Sequence, residues 1–64
     1  MIELSKLNNI KFIINCEQIE KIESRPDTTI TMMNGHFYVV KESIEEVIEK
    51  VIKYKRSFYL QKGD

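Results

Sequence analysis

Two residues, Asn34-Gly35, constrain this chain more than any others. They sit between residues 28–33 and 36–40, two runs rich in β-branched and aromatic side chains. An Asn-Gly pair in that setting predicts a β-hairpin, because a type I′ turn needs positive φ at both central residues. A two-residue loop also sets the register. Met33 then faces His36, Met32 faces Phe37, Thr31 faces Tyr38, Ile30 faces Val39 and Thr29 faces Val40. Cross-strand partners share a face. The expected inner face is therefore Ile30, Met32, Phe37 and Val39. The expected outer face is Thr29, Thr31, Met33, His36, Tyr38 and Val40.

The flanking segments read as further short elements. Residues 2–7 alternate Ile2 and Leu4 against Glu3 and Ser5, which predicts a strand. Asn8-Asn9 is a turn, since Asn tolerates left-handed φ. Residues 10–15 make a second strand. A two-residue loop would oppose Lys6 and Lys11, so a three-residue loop over Asn8, Asn9 and Ile10 is preferred. It aligns Ile2, Leu4, Phe12 and Ile14. Residues 15–18 form a corner with room for a short helical turn. Residues 19–24 read as a strand with a bulge or twist, although the Ile19–Ile22 spacing hints at a helix too short to stand alone. Arg25-Pro26-Asp27 is a turn.

Residues 43–56 predict a helix. Ser43 and Glu46 make a capping box. Ile44, Val47, Ile48, Val51 and Ile52 form one apolar stripe. Acids crowd the first half (Glu42, Glu45, Glu46, Glu49) and bases the second (Lys50, Lys53, Lys55, Arg56), as the helix dipole favours. The stripe is expected to lie on the Ile30/Met32/Phe37/Val39 face. Residues 57–64 read as a tail in which Phe58, Tyr59 and Leu60 could extend the helix or leave it as an arm. The expected fold is α+β: a small, strongly twisted antiparallel sheet or open barrel of about five short strands, then one C-terminal amphipathic helix, in one domain over 1–64.

A chain of 64 residues buries only about 60% of its unfolded surface. Small domains offset this with disulfides, metals or self-association. One cysteine and one histidine exclude an internal disulfide and a Cys/His zinc site within one chain. Self-association as a dimer or trimer is the expected route. Ten basic and ten acidic residues balance, which argues against a dedicated nucleic-acid binder. The opening Met1-Ile2-Glu3 does not read as an export signal, and no apolar run approaches the roughly 20 residues of a membrane span. A lone cysteine then fits the cytoplasm.

No constellation reads as catalytic. His36 has no acid or nucleophile fixed beside it. Cys16 has no placed base and reads as a structural thiol. Glu17, Glu20 and Glu23 scatter over both faces of a strand and read as a solvated edge, not a metal site. The two glycines form no phosphate loop. No cofactor and no small-molecule substrate is expected. Two features suggest contact with another macromolecule. Lys50, Lys53 and Arg56, with Phe58 and Tyr59 following, could meet an acidic groove, RNA or anionic lipid. Thr31, Met33, His36, Tyr38 and Val40 form the expected outer hairpin patch.

Taken together these residues resemble a known family. Leu7-Asn8 precedes the Lys11-Phe12 strand. Asn15 precedes Ile19-Glu20-Lys21-Ile22-Glu23. Pro26-Asp27-Thr28, Ile30-Thr31 and Asn34-Gly35 follow, and Tyr38-Val39-Val40-Lys41-Glu42-Ser43 runs into Glu45-Glu46-Val47-Ile48. This order and spacing is similar to the small bacterial flagellar proteins of the FlbD family, which include the swarming motility protein SwrD. The likeness covers about residues 1–56. Asn9 stands where the family often has Gly, and Cys16 where it often has Pro. The resemblance implies a non-enzymatic cytoplasmic protein linked to motility, and in SwrD-like members to the power of the flagellar motor. The expectation built on it is a homo-oligomeric module that touches a flagellar motor or stator component, directly or near the inner face of the membrane. The competing expectation is a small β-rich nucleic-acid-binding regulator.

Overall fold

The computed structural model describes the backbone of residues 1–63 and the side chains of residues 1–57. Its elements in chain order are β1 (Ile2–Ser5), β2 (Lys11–Ile14), a single 3-10 turn (Cys16–Gln18), β3 (Ile19–Arg25), β4 (Asp27–Met32), β5 (Phe37–Val40) and α1 (Ile44–Gly63). The strands form two antiparallel sheets, β1-β2 and β3-β4-β5, which do not close into a barrel. The two sheets touch where Lys6 bridges Val40 and the Lys41 N–H donates to the Ser5 carbonyl at 2.9 Å.

Three hairpins join the strands; β3–β4 reverses at Pro26, and the other two, β1–β2 and β4–β5, share one kind of turn. In the second, the Gly35 N–H donates to the Met32 carbonyl at 2.9 Å and the Met32 N–H to the His36 carbonyl at 2.7 Å. In the first, the Asn9 N–H donates to the Lys6 carbonyl at 2.8 Å and the Lys6 N–H to the Ile10 carbonyl at 2.9 Å. The third loop residue alone is left-handed, Gly35 at φ 90° and Asn9 at φ 72°. This is a three-residue loop, a type I turn closed by a left-handed residue. The Asn before it accepts from the backbone two residues on: Asn34 Oδ1 from His36 at 3.0 Å, Asn8 Oδ1 from Ile10 at 3.1 Å. Asn9 stands where φ is positive, a conformation that Asn tolerates better than most residues.

This turn corrects the expected register of the β4–β5 hairpin. Asn34 does not take positive φ, so the type I′ turn is not formed. The observed pairs are Thr28↔Val40, Thr29↔Val39, Ile30↔Tyr38 and Thr31↔Phe37. A slip of one residue reverses every side chain of the slipped strand. Val40 is 1% exposed and Tyr38 half-buried, while Phe37 is 65% exposed. On β4 the inner residues Thr28, Ile30 and Met32 are buried, Ile30 and Met32 as expected. The first hairpin loop is also displaced, covering 7–9 instead of 8–10. Its register, Ile2↔Ile14 and Leu4↔Phe12, differs from expectation by an even number, so its inward face is preserved.

In β3 the pairing shifts between Ile19 and Lys21, leaving Glu20 as the extra residue of a bulge. The bulge lets Ile19 and Ile22, three apart, both pack on the core. Cys16 is a buried free thiol. The helix begins as its sequence dictates. Glu46 N–H donates to Ser43 Oγ at 3.1 Å, and Ser43 N–H to Glu46 Oε1 at 2.9 Å, closing the capping box. It continues to Gly63, beyond the expected 43–56.

The helix does not lie on the hairpin face as expected; its principal neighbours are β1 and β3. Val47 is fully buried in a core shared with Ile2, Leu4, Ile14, Cys16, Ile30, Met32 and Val40. Ile44, Lys50 and Val51 are half-buried, and residues 52–57 are all exposed.

Candidate interaction surface

The register decides which side chains can meet another molecule. On β5, Phe37 and Val39 point outward with Thr29 and Thr31 of β4 beside them. The Leu7–Asn8 turn of the first hairpin closes one end of this strip. Lys6, Leu7, Asn8, Phe37, Tyr38 and Val39 line an open groove there. Leu7 is 52% exposed. Across the same outer face, β3 carries polar groups: Glu23 accepts from Arg25 at 3.3 Å and lies 4.0 Å from Lys21. The surface is thus an apolar strip along β5 and the first turn, with an ion-paired border on β3. Such exposed pairs contribute little to stability but keep that border polar.

The expected surface residues are divided by the structure. Thr31 lies on the outer face, half-buried opposite Phe37. Met33 and His36 are exposed at the turn. Tyr38 is corrected to an inner position, where its ring lies 5.3 Å from that of Phe12 at a tilt of 40°. Val40 is corrected to the core. Lys50 is half-buried, whereas Lys53 and Arg56 are exposed on the far half of the helix. The side chains of Phe58 and Tyr59 lie outside the described residues.

A two-residue loop turns Phe37 and Val39 inward; the three-residue loop observed turns them out, beside Leu7 of the first turn. One signal was available: Asn8-Asn9 and Asn34-Gly35 occupy the same place in two like turns, and a left-handed residue is required only second.

One charged contact ties β1 to the connection between β5 and α1. Ser5 N–H donates to Glu42 Oε1 at 3.0 Å. Burial pushes the Glu42 carboxyl up, but hydrogen bonds from Ser5 and from its own backbone, with the Lys50 charge nearby, outweigh this and hold it below its ordinary value. Lys41 Nζ reaches back to Asn9 Oδ1 at 2.6 Å. Among the described residues, no group of three His, Cys, Asp or Glu side chains is placed to hold a metal ion. No described helix is long and apolar enough to cross a membrane.

Comparison with known families bears on this arrangement. The family model for flagellar and swarming motility proteins, FlbD, matches residues 1–59 of the chain. The chain belongs to the FlbD family. No curated protein and no solved structure matches it. The FlbD match spans every strand, both like turns and the capped start of the helix. Family membership makes this a motility-related protein. The apolar strip and the exposed residues 52–57 of the helix are two of the surfaces this FlbD chain offers beyond its own core, and Ile10 and Ile13 are exposed as well.

Proposed function

We propose that the chain is a non-catalytic, self-associating interaction module that supports the bacterial flagellar motor from the cytoplasm. Its partner in this reading is a protein of the motor or stator, reached at or near the inner face of the membrane. The observation that carries it is the outward strip of Phe37, Val39 and Leu7 in a chain of the FlbD family. An exposed apolar patch of this kind, with Val39 half-buried beside Phe37 and Leu7, marks a contact surface for another protein. Aromatic anchors dominate protein–protein binding.

The test is complementation of a swarming strain that lacks the gene. Wild-type protein restores swarming. Phe37→Glu with Leu7→Glu does not, while melting as wild type does. Full swarming without the gene, or with the double variant, overturns the reading.

A second reading has one observation in its favour. Lys53, Lys55 and Arg56 are exposed and held in no ion pair among the described residues. A nucleic-acid regulator would use them. Binding to random RNA or DNA that weakens steeply with salt would favour that reading.

A further inference from the structure

We propose that two copies of the chain pair through their helices, side by side and antiparallel, around Ile48 and Ile52. The inference deepens the self-associating reading and rests on it for its biological meaning.

The helix has two apolar edges. Val47 and Val51 face the chain's own core. Ile48 and Ile52, one turn apart, are each 45% exposed and lie on the neighbouring edge. Glu45, Ile48, Glu49, Ile52 and Arg56 fall at i, i+3, i+4, i+7 and i+11, which is one continuous stripe, with Lys55 beside it. Every one of these residues is exposed. The stripe therefore reads acid, apolar, acid, apolar, base along its length. Residues 52–57 are all exposed, so this part of the helix is open to a partner.

The order of charges selects the occupant. A parallel copy would set Glu45 on Glu45 and Arg56 on Arg56. An antiparallel copy related by a two-fold axis near residue 50 sets the isoleucines of one helix against those of the other. It also places Glu45 of each copy beside Lys55 and Arg56 of its mate, twice over. Self-complementarity of this kind is what a two-fold interface requires. Complementary rim charges fix orientation and reject the parallel alternative. The same pairing lays exposed residues 52–56 of each helix along residues 44–48 of the other.

Sedimentation equilibrium on the purified full chain tests this. The wild type is expected to dimerise with a Kd of about micromolar. Ile48→Asp with Ile52→Asp should be monomeric with an unchanged circular dichroism spectrum. Glu45→Lys with Glu49→Lys should weaken the dimer about tenfold or more, and adding Lys55→Glu and Arg56→Glu to the same chain should restore it. Orientation is read by cross-linking in a Cys16→Ala background. Glu45→Cys chains should cross-link to Arg56→Cys chains and not to each other. A wild type that stays monomeric overturns the proposal, as does a dimer indifferent to the isoleucine pair or Glu45→Cys chains that link to themselves. A helical peptide from another protein that binds a monomeric wild type at the same stripe would also overturn it. The motility reading fails separately, by full swarming without the gene, and that result leaves the pairing intact.

Discussion

Ser5 and Glu42 meet through one hydrogen bond of 3.0 Å, and it joins the first sheet to the start of the helix. The Ser5 carbonyl takes the Lys41 N–H at 2.9 Å, so Ser5 is held by two consecutive residues of the β5–α1 connection. Folding lowers the Glu42 carboxyl below its ordinary value near 4.5. The contact therefore contributes fully above about that pH and is lost as pH falls through the lower folded value. Glu42→Ala should cost about 1 kcal/mol at neutral pH, after allowance for solvent screening. The difference from wild type should shrink as pH falls below the ordinary value. Urea unfolding of both proteins at neutral and acid pH measures this; a difference independent of pH would show that the charge is not engaged.

The shared turn provides its own control. Gly35 at φ 90° has no atom within 4 Å of where a Cβ would stand, so a substitution there meets backbone strain alone. Gly35→Val should cost about 1–2 kcal/mol, because a β-branched residue resists positive φ. Gly35→Asn should cost well under ~1 kcal/mol, since Asn9 already fills the equivalent place. Thermal melting of the pair gives the comparison. Equal losses would mean that strain is not the cause.

The register of β5 makes opposite demands on neighbouring residues. Val40→Ala removes buried methyls from a closed core and should cost about 2 kcal/mol. Phe37→Ser, at an exposed position, should stay within about 0.5 kcal/mol of wild type. Denaturant midpoints that ranked the two the other way would restore the two-residue loop.

The capping box at Ser43 predicts a local loss. Ser43→Ala leaves the Glu46 N–H without its side-chain partner and should destabilise the fold by about 1 kcal/mol. Ser43→Asp should recover most of it. Helical circular dichroism with melting measures both, and an unaffected Ser43→Ala would place the start of the helix elsewhere.

Signals that act over a few residues were legible in the chain itself. The capping box, the turn at Asn34-Gly35, the alternation in β1 and the apolar periodicity of α1 each involve groups within one turn or one strand. The Ile19–Ile22 spacing was harder to read, because a bulge and a helix both set residues three apart on one side. The partition of the proposed surface was not legible, since the fate of Phe37, Tyr38 and Val40 depends on a loop count that sequence preference for Asn-Gly leaves open. The same dipeptide serves a two-residue loop with two left-handed residues and a three-residue loop with one.

Residues near one another in the chain settled that there would be three reversals between short strands, a bulged or twisted third strand and a capped amphipathic helix. The tertiary structure decided which face of β5 turns inward. Lys6 bridges Val40, and Ser5 ties Lys41, so the end of that strand is pinned to a partner more than thirty positions away in sequence. Side chains alternate with a period of two along a strand, so anchoring one residue sets the direction of all the others. Val40 then fills the core, and Phe37 stands outside it.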